Sequence, residues 1–163
     1  MGNNFFTDKT LLLEAGNTYL LEITGMIEMS YSESWFVGMD ENGLKHLIPA
    51  SVYACYGINP GSRIMCRLDK INCQGRFFFE PKHPEYSEGK SYGFELVKIV
   101  KCSGLCSKYA AVVKDVFGNE ILTRCFDASG PLPHNLDTIE CYVHRIKKAV
   151  PYLQVTDKRL IGS

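Results

Sequence analysis

Seven cysteines are the residues of this chain whose spacing could carry the most specific chemistry. Cys102 and Cys106 form a C-x3-C pair, which is wider than the C-x2-C of most zinc ribbons, and no second pair follows at ligand spacing. Cys66, Cys125 and Cys141 stand at apolar positions of predicted strands, where an isolated, reduced thiol acts as a small hydrophobe. The pattern therefore predicts no metal site and no cofactor, and it favours a reducing compartment.

Catalytic chemistry has no recognisable signature in the sequence. A nucleophile elbow, a phosphate-binding loop, a dinucleotide fingerprint and a His-Glu-x-x-His motif are all missing from it. The four histidines and the carboxylates are scattered without an evident acid–base pair. We therefore expect a protein that is not an enzyme, although catalytic groups that are distant in sequence could still meet in space.

Aromatic and basic side chains lie close together in the second half of the chain. Alternation places Tyr142 and His144 on the outward face of a predicted strand, beside Arg145 and Lys147. An aromatic ring can stack on a base, and a basic side chain beside it can meet a phosphate. These four residues are therefore candidates for nucleic-acid binding, and an ordinary solvated strand face is the alternative.

The overall charge argues against a strong, non-specific binder of polyanions. Eighteen basic side chains balance eighteen acidic ones, so the net charge is zero. This balance hides an asymmetry, because residues 1–86 carry 7 basic and 10 acidic side chains, whereas residues 87–163 carry 11 and 8. A local basic patch can therefore still form, although scatter over a solvated surface is the simpler interpretation.

Short β-strands are the elements that must position these side chains. Residues 61–81 alternate between apolar and polar up to a turn at 72–75, and an aromatic run at 76–80 follows, which together predict a hairpin. Three earlier strands are predicted at residues 18–27, 34–40 and 44–48, with one or two helical turns within 49–56.

The pattern of the first half returns about 75 residues later. Residues 89–95 echo 16–22, residues 109–118 echo 35–43, residues 121–126 take the place of the third strand, and residues 137–155 echo the hairpin. A repeat at this spacing, with five strands in each copy, predicts the duplication of a complete small barrel.

We therefore expect an all-β protein of two tandem five-stranded OB-fold barrels of the Greek-key type, at residues 1–86 and 87–163, from an internal duplication. A barrel closes its own edges, which explains how so small a unit could satisfy its backbone polar groups. The Pro-bounded segment 81–89 is predicted to be an extended and fairly stiff linker. An SH3-like barrel or one ten-stranded sandwich is the alternative.

Short motifs follow one another in a fixed order between residues 34 and 80, namely Phe36-Val37, Gly43-Leu44-Lys45-His46-Leu47, Gly61-Ser62-Arg63-Ile64 and Arg76-Phe77-Phe78-Phe79. In this order they resemble the RNA-binding domain that is repeated in bacterial ribosomal protein S-one, a subclass of the OB-fold. The opening Gly-x-Val strand of that family is not evident, so residues 18–27 must take its place. The second half departs further, because it has Ala110 where the first has Phe36 and Ile121 where the first has His46.

The resemblance implies that aromatic and basic side chains on the second and third strands face single-stranded RNA. Alternation along the second strand puts Trp35 inside the barrel, together with Val37 and Met39. Phe36 then points outward with Asp40, which marks the wet face. The candidate nucleic-acid-binding residues of the first half are the rings of Phe36 and His46 and the phosphate partners Arg67, Lys70 and Arg76. A core or solvated role is the alternative for each of them.

The expected function is non-enzymatic binding of single-stranded nucleic acid, RNA in preference to DNA, through the barrel faces. A protein–protein or assembly module that uses the same barrels is the alternative, and an oligosaccharide-binding barrel is a third hypothesis. The sequence shows neither a secretion signal nor an apolar run of membrane-spanning length, so we expect a cytoplasmic protein without a membrane partner.

Overall fold

The computed structural model describes residues 12–29, 33–104, 108–133 and 135–162. The chain divides into two units, Met1–Lys82 and His83–Ser163. The regular structure of the described residues is almost entirely β-strand and forms two curled sheets. The all-β class that alternation predicts is therefore confirmed. The division between the units falls four residues before the predicted one.

The described strands of the first unit form a curled antiparallel sheet. They are β1 (Thr18–Met29), β2 (Glu33–Met39), β3 (Lys45–Pro49), β4 (Arg63–Ile71) and β5 (Phe77–Pro81), paired in the order β3-β2-β1-β4-β5. The strands at the two ends of this order, β3 and β5, also lie in contact. A short 3-10 helix, Ala54–Tyr56, follows β3 in the segment for which the sequence predicts helical turns.

The second unit has the same order of pairing. Its described elements are β6 (Ser91–Lys101), β7 (Lys108–Lys114), β8 (Glu120–Leu122), β9 (Phe126–Asp127), β10 (Thr138–Lys147), β11 (Val150–Val155) and α1 (Lys158–Ile161). The sheet runs β11-β10-β6-β7-β8, and β9 pairs with β7 beyond the end of β8. The predicted third strand at 121–126 is therefore divided into two short pieces.

The two sheets also share their pairing register. Tyr19 of β1 lies opposite Cys66 of β4, and Tyr92 of β6 lies opposite Cys141 of β10. Each sheet has two extra, bulged residues, and they stand at matching points. They are Thr24 in β1 and Asp69 in β4 of the first sheet, and Val97 in β6 and His144 in β10 of the second. Because a bulge shifts the face of every residue that follows, matching bulges keep matching residues on the same face in both units.

The hairpin turn after the second strand of each unit has the same construction. The Oδ1 atom of Asp40 accepts hydrogen bonds from the backbone N–H groups two and four residues later, at 2.9 and 3.0 Å. Asp115 does the same in the second unit, at 2.9 and 2.8 Å. Gly43 and Gly118 provide the positive φ angles, 78° and 82°, that these turns require.

The core of the first unit corrects the predicted parity of β2. Phe36 is 7% exposed and Gly38 is buried, whereas Trp35, Val37 and Met39 are half-buried on the other face. The inward position of Phe36 and the outward position of Trp35 therefore reverse the prediction. Its error lay in Asp40, which is itself buried because turn N–H groups and a histidine satisfy its carboxylate.

Most of the segment predicted to be an extended, stiff linker, residues 83–89, belongs to the second unit. Pro81 ends β5, but His83 and Tyr86 are both buried, and Tyr86 is part of the core of the second unit. The N–H of Gly89 donates to the carbonyl of Val143 at 2.8 Å. The position of this segment is therefore determined by side-chain packing and hydrogen bonds within the second unit, and not by the stiffness of its prolines.

A disulfide corrects the expectation that the cysteines are isolated, reduced thiols. Cys102, just after β6, is bonded to Cys125, just before β9, 23 positions along the chain. Cys66 and Cys141 do have the predicted role, since both are buried and free. Burial raises the pKa of each of these two thiols to about 12, so both stay protonated and act as apolar side chains.

Helices of the described residues are too short or too polar to cross a bilayer.

Candidate nucleic-acid interface

A groove of about 470 Å³ opens on the first unit, where β3 approaches the start of β5. It is lined by aromatic, basic and apolar side chains from four strands and one turn, namely Met29, Trp35, Lys45, His46, Leu47, Arg76 and Phe77. We call it the first groove. Sequence analysis singled out two of these residues, His46 and Arg76.

Arg76 lies over two aromatic rings at the edge of the first groove. Its guanidinium carbon is 5.9 Å from the ring centre of Trp35 and 5.5 Å from that of Phe78. The ammonium of Lys70 lies 5.0 Å from the same Phe78 ring. We call these four residues the Arg76 cluster. It places two cations and two aromatic faces together, which is the combination that single-stranded nucleic acids require.

The turn and the bulge of the β4–β5 hairpin position the Arg76 cluster. Asn72 Oδ1 accepts a hydrogen bond from the Arg76 N–H at 2.8 Å, and the Asn72 N–H donates to the Arg76 carbonyl at 3.0 Å. Gly75 provides a φ of 75° within this turn. The bulge at Asp69 brings Lys70 opposite Phe78 across the hairpin. Without the bulge, alternation would put Lys70 on the inner face.

Trp35 is the outward aromatic residue of β2. It lies opposite Pro49 of β3 and Ile27 of β1 and is half-buried. Its indole Nε1 is buried and has no hydrogen-bond partner among the residues that the structure describes. The indole ring therefore lines the groove, while its N–H group lies below the surface.

His46 forms the floor of the first groove and is not an exposed strand residue. Its Nε2 lies 2.8 Å from Asp40 Oδ2, and both side chains are nearly inaccessible. The imidazole ring contacts Phe79 edge-on at 4.7 Å between ring centres, and Phe77 at 5.6 Å. Since the ring is 6% exposed, its geometry suits it to hold Phe77 at the rim more than to stack on a ligand.

Two other predicted residues of the first unit lie in different surroundings. Phe36 is in the core, so its predicted role as an outward stacking platform is wrong. Arg67 is outside the Arg76 cluster, and its Nη2 lies 3.3 Å from Glu80 and 3.9 Å from Asp69. The Glu80 pair joins directly opposed residues of β4 and β5. The charge of Arg67 is therefore largely balanced within the unit.

The four candidates of the second unit lie along β10. Tyr142 and Lys147 are half-buried, and His144 and Arg145 are exposed next to each other because His144 is the bulged residue. Arg145 lies opposite Tyr152 of β11, which sequence analysis did not single out. Tyr152 is 53% exposed, so it is the accessible ring of this face.

The second unit has a groove of about 320 Å³ at the matching place, between β8 and β11. Register gives the correspondence directly, since Lys45 pairs with the last residue of β2 as Glu120 pairs with the last residue of β7. The lining of this second groove is Glu120, Ile121, Leu122, Thr123, Arg124, Val150, Pro151, Tyr152 and Leu153.

Register also shows which residues replace the rings and cations that line the first groove, and it places Arg145 and Tyr152 at the positions of Lys70 and Phe78. Trp35 lies opposite Ile27, which is three residues after the bulge of β1. Ala110 lies opposite Val100, which is three residues after the bulge of β6, so Ala110 is the equivalent of Trp35. Ala111, not Ala110, is therefore the equivalent of Phe36. Ile121 takes the place of His46, as predicted, while Glu120, Val150 and Pro151 take those of Lys45, Arg76 and Phe77.

Metal binding finds no support among the described residues, which contain no cluster of three or more His, Cys, Asp or Glu side chains suited to an ion. Cys106 of the C-x3-C pair lies outside the described residues. Cys102 of that pair is engaged in the disulfide with Cys125.

The chain matches no protein-family model and has no significant similarity to a curated protein sequence.

Proposed function

We propose that each unit is an OB-type barrel and that the two arose by internal duplication. The order β3-β2-β1-β4-β5, with β3 in contact with β5, is the order of a five-stranded Greek-key barrel. The second unit has the equivalent order, the same bulges and the same aspartate turn. Independent origins would not require so many coincident irregularities.

The protein, on this proposal, is a non-enzymatic binder of single-stranded nucleic acid that uses the first groove. The observation that carries it is that the rings of Trp35 and Phe77 meet the cations of Lys45 and Arg76 in one groove. Lys70 and the Phe78 ring lie beside Arg76 at its edge. Stacking on an aromatic ring contributes about 1–3 kcal/mol per base, and each cation that meets a phosphate releases counterions. The preference for RNA over DNA rests on the resemblance to the S-one domain.

The second unit contributes less to this function. Its groove has Glu120 and Val150 at the positions of two cations of the first groove, and Ala110 at the position of the tryptophan. A carboxylate at this place repels phosphate, and an alanine cannot stack on a base. The basic residues of β10 are then auxiliary phosphate contacts beside the exposed Tyr152.

A titration of the full chain with labelled single-stranded RNA and DNA tests the proposal. The chain has a single tryptophan, Trp35, so its quenching reports occupation of the first groove separately from the anisotropy of the oligonucleotide. If Lys45, Lys70 and Arg76 each contact one phosphate, the affinity for single-stranded RNA should fall roughly twentyfold when the salt concentration rises fourfold. Flat anisotropy curves at micromolar protein, or binding without any change in Trp35 emission, would refute the assignment.

A protein–protein or assembly module is the second candidate, and one observation favours it. Leu122, Val150 and Tyr152 are 61%, 49% and 53% exposed around the second groove. Apolar side chains grouped in this way are typical of a partner surface. Binding through them should respond weakly to salt, which separates this candidate from nucleic-acid binding in the same titration.

A further inference from the structure

His83 makes an unusual set of hydrogen bonds at the beginning of the second unit. Its ring is 8% exposed, and its Nδ1 accepts hydrogen bonds from the backbone N–H groups of Glu85 and Tyr86, both at 3.1 Å. Only an unprotonated ring nitrogen can accept a hydrogen bond, so these two donors assign the neutral imidazole with its proton on Nε2.

These hydrogen bonds hold a residue of the hydrophobic core. Tyr86 stacks on His83 at 4.6 Å between ring centres and contacts Phe94 of β6 in a tilted arrangement at 5.1 Å. The Tyr86 hydroxyl accepts a hydrogen bond from the Val116 N–H at 3.0 Å, in the turn between β7 and β8. Phe117 of the same turn covers the His83 ring at 5.3 Å. Residues 83–86 and the turn therefore fix each other, and we call this arrangement the His83 anchor.

The charged groups around the ring are Glu85 on its own segment and Asp115 on the turn, and both favour the imidazolium. Two tyrosines also lie here, since the Tyr86 ring contacts that of Tyr92 in β6 at 5.1 Å between ring centres. Asp115 is committed to its own turn, because it accepts hydrogen bonds from the Phe117 and Asn119 N–H groups and from the Asn119 amide. Burial outweighs the two carboxylates and lowers the pKa of His83 below its ordinary value.

We propose that His83 makes the second unit acid-sensitive, because a proton on Nδ1 breaks both backbone hydrogen bonds and releases residues 83–86 with Tyr86 from the core. The sign follows from the two states of the histidine. Above pH about 6.5 the imidazole is neutral in both the anchored and the released chain, and the anchor has its full stability. Below that pH the released chain takes up the proton more readily, so the anchor weakens as the pH falls.

Hydrogen exchange of the full chain, followed by NMR, is the test. After correction for intrinsic exchange, protection of the Glu85 and Tyr86 amides should fall about tenfold between pH about 7.5 and about 5.5. The Arg124 amide, which donates to the Leu153 carbonyl at 2.8 Å, is a reference in the same unit and should lose much less protection. Equal losses at all three amides would show general acid destabilisation and overturn the proposal.

His83→Asn is the matched variant, because an asparagine side-chain oxygen can accept the same two N–H groups and does not titrate. The pH dependence at residues 85 and 86 should disappear in it, whatever its effect on absolute stability. Direct titration of the imidazole in the unsubstituted chain is the second measurement, and it does not depend on the folding of a variant. A folded-state pKa at or above 6.5, or an unchanged pH dependence in H83N, would contradict the proposal.

Discussion

The two grooves of this protein occupy equivalent positions and differ in the rings and charges that line them. The first presents Trp35, Lys45, Arg76 and Phe77, whereas register places Ala110, Glu120, Val150 and Pro151 at the same points of the second. The frames around them agree to the level of individual bulges and turn hydrogen bonds. The difference shows that the fold depends on a few positions, namely the bulges and the aspartate turns. The residues of the groove walls can differ without altering the fold.

The inner residues at one position differ in size as well. Phe36 fills the core of the first unit, where the second has Ala111. Gly38 leaves little space, because a Cβ atom there would lie 3.2 Å from Leu21 Cδ1 and the leucine would have to shift. A large ring at one position is thus combined with the smallest residue two positions along on the same face. The two cores are therefore filled by side chains of different volumes at equivalent positions.

The largest expected effect is on this core. Phe36→Ala should destabilise the first unit by about 3–5 kcal/mol, because a buried ring is lost and a cavity remains. Urea unfolding followed by Trp35 fluorescence measures it, and Val37→Ala on the outer face is the control, with a loss below about 1.5 kcal/mol. Unchanged stability with weakened RNA binding would instead restore the outward orientation that simple alternation predicts.

The disulfide distinguishes the second unit. Cys125→Ser should lower its stability by about 3 kcal/mol, because the bond closes a loop of 23 residues in the unfolded chain. Thermal unfolding with and without a thiol reductant measures the effect. The reductant should lower the transition of the unsubstituted chain and leave that of the variant in place, while Trp35 emission of the first unit stays unchanged. A reductant effect that persists in the variant would contradict this assignment.

The aromatic walls give the next effect. Trp35→Ala should weaken binding of single-stranded RNA by about 1–3 kcal/mol, since one stacking ring is lost from the first groove. Tyr152→Ala removes the accessible ring of the second groove and should change affinity by less than about twofold. Anisotropy titrations of both variants measure the contrast. If the tyrosine variant loses more affinity than the tryptophan variant, the roles of the two units are reversed.

The charges of the two grooves sharpen the comparison further. Lys45→Glu copies the second groove into the first and should reduce the slope of log affinity against log salt by about 0.7. Glu120→Lys makes the reverse change in the second unit and should leave the slope nearly unchanged, because the groove there has no tryptophan beside it. Salt titrations of both variants decide this, and equal changes in slope would mean that both grooves contact phosphate.

The smallest effect concerns the hairpin turns. Lys148 and Ala149 have φ angles of 49° and 66°, which residues with a Cβ rarely adopt, whereas the corresponding turn of the first unit uses Gly75. Ala149→Gly should therefore stabilise the second unit by about 0.5–1 kcal/mol, measured as a rise in its unfolding midpoint. Gly75→Ala should shift the first unit in the opposite direction, and a loss of stability in both variants would exclude backbone strain at 149.

Much of the fold can be predicted from the sequence because strands and turns are local. The Asp40–Gly43 turn, the hairpin before Pro81 and the echo in the second half all depend on neighbouring residues. The inner and outer faces of β2 cannot be predicted in this way, since a polar residue such as Asp40 ordinarily indicates the solvent face. Asp40 is buried, and its hydrogen bond to His46 forms only after β2 and β3 have paired.

The first groove could not be predicted from the sequence for a different reason. It exists only where β3 meets β5, and the residues on its two sides lie some thirty positions apart in the chain. The sequence named Arg76 and Lys70, which lie on the same Phe78 ring, together with Arg67, which does not, and it did not name Trp35 or Lys45 as site residues. The bulge at Asp69, which decides where Lys70 points, leaves no clear mark on the pattern. Cys102 and Cys125 likewise meet only in the folded sheet.

The burial of Tyr86 has a practical consequence for dividing the chain. A fragment that begins at residue 87 would start with a hole in its interior, while one that begins at residue 83 keeps the ring and its tyrosine–valine hydrogen bond. Limited proteolysis should accordingly spare the stretch from 83 to 89, in spite of its position at the boundary between the two units. When the second half is expressed alone, a fragment that includes residues 83–86 should fold, and a fragment without them should not.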